Sequence, residues 1–141
     1  MAYATLDDLV LGWGSDVAAR LSIRPEDPDG SQTVGRALDD ASARIDAQLS
    51  VRFTLPIETV SPILVKICVD LAVADMAIGA DLMTEIIGAR ETRARADLKL
   101  IAEGKMNLGL ATLSPAESDR PKPIFGPGGS KLFTRSKLRG L

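Results

Sequence analysis

Histidine is absent from the 141 residues, cysteine occurs once, and Phe, Trp and Tyr together make up 4% of the chain. Without histidine no Ser–His or Cys–His nucleophilic pair can form, and the commonest general base and metal ligand is missing. The expectation is a protein that is not an enzyme and holds no metal or cofactor. The single cysteine, Cys68, excludes an intrachain disulfide and fits a reducing compartment. It lies in an apolar stretch, off the helical face that carries Lys66, and reads as a buried structural thiol. So few aromatics leave aliphatic and alanine side chains to close the core, which favours close-packed helices. Long uninterrupted apolar runs are also missing. The most apolar window, residues 63–80, contains Lys66, Asp70 and Asp75, which makes a membrane span costly. The opening MAYATLDDLV lacks a basic start and a sustained apolar run, arguing against a secretory signal and for synthesis in the cytoplasm.

Acidic residues are missing from one part of the chain. The last 22 residues, RPKPIFGPGGSKLFTRSKLRGL, hold Arg120, Lys122, Lys131, Arg135, Lys137 and Arg139 and no Asp or Glu. Residues 1–119 hold the other eleven cations and all nineteen anions, so a body of net charge −8 precedes a segment of +6. The segment has no sustained helical or strand period, and its glycines and prolines leave it unable to fold alone. Blocks of like charge at a terminus often act as interaction tails, here toward an acidic body, an acidic partner or nucleic acid. The division expected is a helical body over 1–110, large enough for one modest core, and an extended basic docking arm over 111–141.

Helical periodicity organises the body. Thr5 with Asp8 three residues on predicts a capped helix over about 5–12, and Ser15 can cap a short further turn, DVAARL. RPEDPDGS then reads as a loop. Val34, Leu38, Ala41, Ile45 and Leu49 predict an amphipathic helix from Ser31 or Thr33 to near Phe53. Ser61 and Pro62 suit the cap and first position of the next helix, to Ile78. That helix is apolar around most of its circumference and should be central. A fourth, partly exposed helix is expected from Asp81 or Thr84 to Glu103, with Ile86, Ile87, Ala94, Leu98 and Ile101 as its apolar positions. The fold class is all-α: a small bundle of about four helices with an extended arm.

Three constellations invite functional readings. GPGGSK at 126–131 lacks the strand–helix context of a phosphate loop and reads as a hinge. Asp27, Asp29 and Ser31 lack the glycine position and closing glutamate of a calcium loop and read as solvated loop residues. Asp70 falls on the apolar central helix, where a carboxylate needs a partner. Lys66 lies four residues away, and Arg52 or Arg93 could approach through folding; a structural ion pair is the expectation. Six cations with Phe125 and Phe133 could also engage nucleic acid, but the net negative body opposes a duplex and no scaffold for base readout is visible.

Read together, YATLDDLVLGWG, ALDDASARIDAQLSVRFTLPI, SPILVKICVDLAVADM, EGKMNLGL and the terminal FTRSKLRGL resemble, in this order, the elements of the phage Mu-like head–tail connector family. The resemblance maps its recurring positions onto Asp46, Arg52, Leu55, Pro56, Pro62, Leu64, Cys68 and Asp70. It continues through Gly104, Leu108 and Gly109 to Phe133, Thr134, Arg135, Leu138 and Gly140. It implies an α-helical structural virion protein, made in the host cytoplasm and placed in the neck between head and tail. There it would form a homo-oligomeric, twelvefold ring, binding the portal protein on one side and a stopper or tail-terminator protein on the other. Packaged DNA would pass through its channel without sequence-specific binding, and no membrane is involved. The alternatives are a stopper or tail-terminator at the same junction, or a nucleic-acid-binding accessory protein. Arg52, Pro56 and Asp70 are then expected to be structural, and Phe125, Phe133, Arg135, Leu138 and Arg139 to bind the partner.

Because the periodic apolar positions end near Leu110, a chain truncated after Leu113 is expected to keep its helical circular dichroism and a cooperative melt. Loss of either would refute the division into body and arm.

Overall fold

Each helix start can be traced to a local hydrogen-bonding device. In the computed structural model, described over residues 2–57 and 59–108, Thr5 and Asp8 form a reciprocal capping box at the start of α1 (Leu6–Trp13). Asp8 Oδ2 accepts from the Thr5 N–H at 2.8 Å, and Thr5 Oγ1 accepts from the Asp8 N–H at 3.3 Å. Gly14 ends α1 and immediately opens α2 (Ser15–Ser22), a full helix rather than the single turn expected. Ser15 is its first residue rather than its cap. α3 spans Ser31–Leu49 and stops short of Phe53, α4 spans Pro62–Gly79, and α5 spans Glu85–Ala102. Thr84 caps α5 by accepting from the Ile87 N–H at 3.3 Å. Pro62 takes the first position of α4 as predicted, although the Ser61 side chain makes no cap hydrogen bond.

The protein is all-α, a small bundle with five helices among the described residues. α4 is the central element, packed against α1, α2, α3 and α5. Leu64, Cys68, Ala72, Val73, Ala74 and Ala77 on α4 have no solvent exposure. The alanines let neighbouring backbones approach, and the larger aliphatics fill the space between them, as the low aromatic content required. Each fully buried Leu or Ile contributes roughly 1.5–3 kcal/mol relative to an exposed one. α3 adds Ile45 and Leu49 to this core, and α5 adds Leu98 and Ile101. Arg24 secures the far end of α4, donating to the Gly79 carbonyl at 2.8 Å and to the Met76 carbonyl at 3.4 Å. The Gly79 carbonyl is one that the end of a helix leaves without an intrahelical partner, whereas the Met76 carbonyl also accepts from the Ala80 N–H at 2.9 Å.

Two glycines are required by conformation, and Gly30 by close approach as well. Gly30, at φ 69°, faces Ser22, whose Oγ would lie 2.2 Å from an added Cβ. Gly104, at φ 76°, faces the Arg52 guanidinium, whose nearest nitrogen would lie 1.5 Å from one. Both angles belong to the left-handed region that side chains disfavour.

The loop before α3 differs from the solvated loop expected. Asp27 is buried, and its carboxylate accepts from the Thr33 N–H at 2.7 Å and the Thr33 hydroxyl at 2.9 Å. Backbone hydrogen bonds between Arg24 and Asp27, at 3.1 and 3.0 Å, fold the loop so that the carboxylate reaches the start of α3. Gly30 occupies the cap position but has no side chain to satisfy the first-turn N–H groups, and Asp27 does so from outside the helix. The Thr33 N–H is the main cause that holds the Asp27 carboxyl below the ordinary carboxylate range.

A depressed native pKa stabilises the fold above the unfolded value, about 3.9, and that stabilisation is lost as pH falls through the native value. Asp27→Ala is therefore expected to lower the melting temperature at pH 7. The gap between variant and wild type should narrow steadily below pH 4, as followed by thermal melts across pH. A gap independent of pH would refute this role for the carboxylate.

Candidate functional site

Asp70 is the most constrained polar group of the bundle. It projects from α4 with 4% exposure, toward α1 and α5. Its Oδ1 accepts from the Trp13 indole N–H at 3.1 Å and pairs with Arg90 Nη2 at 2.9 Å. The Arg90 guanidinium also lies 3.9 Å from the centroid of the Trp13 ring and donates to the Gly12 carbonyl at 3.4 Å. One cation thus meets a carboxylate, an aromatic face and a main-chain carbonyl. A planar guanidinium suits all three, whereas a lysine ammonium lacks the fork and the flat face. The triad ties the end of α1 to the centre of α4 and the first half of α5.

Lys66, Arg52 and Arg93, the partners considered from the sequence for Asp70, are not the ones that reach it. Arg90 follows Ile87 by three residues and precedes Ala94 by four, so it lies on the inward stripe of α5. Arg93 lies off that stripe and is exposed, as is Lys66 on α4. Arg52 lies against the backbone of Gly104. A cation within an inward apolar stripe, together with the sole tryptophan between two glycines, was the signal in the sequence that pointed to this pair.

An apolar groove of about 410 Å³ opens beside the triad, between α1–α2 and the start of α5. Trp13, Val17, Leu21, Leu82, Ile86 and Ile87 line it together with Arg20 and Arg90. The neighbouring α4–α5 corner exposes Ile78 (61%), Leu82 (40%), Met83 (43%) and Ile86 (68%). Of the apolar pair Ile86 and Ile87 at the start of α5, only Ile87 is buried. Asp81 and Glu85 are interleaved with these residues and are exposed. Scattered exposed aliphatics are ordinary, whereas a contiguous set beside an open groove is the usual mark of an interaction surface.

Elsewhere the buried polar groups are satisfied internally except Asp75 Oδ2; Asp75 pairs through Oδ1 with Arg44 at 3.0 Å. Cys68 is fully buried, 3.5 Å from Ser42 Oγ, and its thiol donates to the Leu38 carbonyl at 3.7 Å. Burial pushes its pKa up, which keeps the thiol in its unreactive neutral form. Tyr3 donates its hydroxyl to Asp46 and its backbone N–H to Ser42 Oγ at 3.0 Å. Burial first, then the Asp46 carboxylate, raises the Tyr3 pKa. Among the described residues no group of three His, Cys, Asp or Glu side chains could hold a metal ion. No described helix is long and apolar enough to cross a membrane.

Arg52, Pro56 and Asp70 occupy three different environments. Arg52 packs on Gly104, Pro56 follows a cis peptide bond and borders a cleft with Tyr3 and Asp46, and Asp70 anchors the triad. Phe125, Phe133, Arg135, Leu138 and Arg139, expected to bind the partner, lie outside the described residues, as does the boundary drawn between 110 and 111.

The family model for Bacteriophage Mu, Gp36 matches residues 3–124, a span that includes all five helices and every residue of the triad. Gene product J of Escherichia phage Mu is 32% identical over 142 residues, with 97% of each chain covered.

Removing one partner of a buried pair leaves the other charge uncompensated, which typically costs about 3–5 kcal/mol. Arg90 is one-third exposed, so Asp70→Ala is expected to cost somewhat less, about 2–3 kcal/mol of unfolding free energy. Arg90→Lys should lose about 1 kcal/mol while keeping the charge. Denaturant titration measures both, and the emission of Trp13 should shift to the red in the native state of each variant. Unchanged emission in Asp70→Ala would show that the indole does not depend on this carboxylate.

Proposed function

Because the chain belongs to the bacteriophage Mu Gp36 family, we propose that it is a structural virion protein, the head–tail connector that forms a ring beneath the portal and joins the DNA-filled head to the tail. The observation that carries this reading is the α4–α5 corner, where four exposed apolar side chains adjoin an apolar groove. Such a surface fits permanent contact with other protein, as a ring subunit makes on its flanks. The rigid body, with α1 locked to α4 and α5 by the triad, provides the stiff element of a load-bearing joint. The basic C-terminal segment provides an anchor of opposite charge. In it Phe133 and Leu138 would fill apolar pockets on the portal or a neighbouring subunit, and Arg135 and Arg139 would pair with carboxylates there. Phe125 would add a further apolar contact. DNA passing through the ring would meet a predominantly negative body, which favours sliding over adhesion.

Deletion of the gene from a phage that carries it is expected to yield separate heads and tails of normal length. Purified protein added to the extract should restore joining, and Phe133→Ala/Arg135→Ala protein should not. Electron microscopy of the lysates reads each outcome. Tails of aberrant length would instead favour a tail terminator, and joined, infective particles in the deletion would refute any role at the junction.

A further inference from the structure

We propose that the groove at the α4–α5 corner receives the basic C-terminal segment, residues 131–141, of an adjacent copy of the chain, an assignment that rests on the connector reading above. The first support is chemical matching. The corner interleaves Ile78, Leu82, Met83 and Ile86 with the acids Asp81 and Glu85. Neither acid forms an ion pair among the described residues. Residues 131–141, KLFTRSKLRGL, interleave Leu132, Phe133 and Leu138 with Lys131, Arg135, Lys137 and Arg139. Apolar anchors fit the groove, and cations fit Asp81 and Glu85 on the adjoining corner, opposite charges that guide the approach. Arg20 and Arg90 also line the groove. The Arg90 charge is already met by Asp70 at 2.9 Å, so the segment's cations face Asp81 and Glu85 while its apolar side chains face Trp13, Val17 and Ile86.

The second support is reach. The groove lies at the first turn of α5, whereas Leu108, the last described residue, follows the other end of that 18-residue helix, which is about 27 Å long at 1.5 Å per residue. A segment of one copy seated in the groove of the next makes a head-to-tail contact, the kind that generates rings when its rotation closes. Residues 109–130 lie between Leu108 and the segment and span up to about 70 Å when extended, enough to reach a neighbour.

Trp13 is the only tryptophan and lines the groove, so its emission reports occupancy directly. Purified full-length chain is expected to associate as concentration rises, with a matching shift in Trp13 emission and weakening by salt. Phe133→Ala/Leu138→Ala and, separately, Ile86→Ser should each weaken association at least tenfold with far-ultraviolet circular dichroism unchanged. Mixing these two variants should restore association as far as a heterodimer and no further, because one copy keeps an intact groove and the other an intact segment. Light scattering reads the mass in each sample. A wild-type chain that stays monomeric at every concentration, or variants that associate as well as wild type, would overturn the proposal. So would a mixture that fails to complement, or a Trp13 shift at constant monomer mass, which would put the segment in its own chain's groove. If Ile86→Ser protein joins heads to tails at full efficiency, the docking is wrong and the connector reading stands. If wild-type protein neither enters particles nor restores joining, the connector reading falls and the mixing result still decides the docking.

Discussion

A carboxylate on the most enclosed helix of a small bundle must be neutralised, and much of the arrangement around α4 follows from how Asp70 is neutralised. An unpaired charge there would cost several kcal/mol, a large part of the 5–15 kcal/mol by which domains of this size are stable. The solution recruits Trp13 from α1 and Arg90 from α5. Because Arg90 stacks on the same indole that donates to Asp70, neither contact can be made without placing α1 and α5 correctly relative to α4. The triad therefore sets the geometry of the groove beside it: Trp13 and Arg90 are at once internal ties and groove walls.

The rest of the body is held by close apolar packing and by economical use of its few polar groups. α4 has alanine where neighbours approach most closely, and its ends are secured by Pro62 at the start and Arg24 at the finish. Asp27 caps α3 from a distance, and the Tyr3–Asp46 and Tyr3–Ser42 hydrogen bonds pin the N-terminal residues to α3. Leu6, Leu11, Ile23 and Val51 are exposed at separate places in the chain, whereas Ile78, Leu82, Met83 and Ile86 are exposed within nine residues at the α4–α5 corner. In the proposed connector the missing half of the packing would come from another subunit. The same proposal gives a use to a C-terminal segment opposite in charge to the body.

Much of this was legible in the order of residues. The 3.6-residue spacing of Val34, Leu38, Ala41, Ile45 and Leu49, the Thr5–Asp8 pair and the Ser61–Pro62 start are local signals, and each depends on neighbours within four residues. They determined an all-α fold with α4 at its centre. The missing histidine and the opposite charges of body and C-terminal segment were likewise plain from composition, and the ordered motifs pointed to the family. Tertiary structure alone decided which cation meets Asp70: Lys66, Arg52 and Arg93 were the partners considered from the sequence, and laying α5 against α4 brought Arg90 instead. It decided that Asp27 serves α3 rather than solvent, and that Ile86 faces outward while Ile87 is buried. The physical reason is common to all three: helical period states which residues share a face, but the rotation of each helix about its axis is set by packing partners distant in the chain.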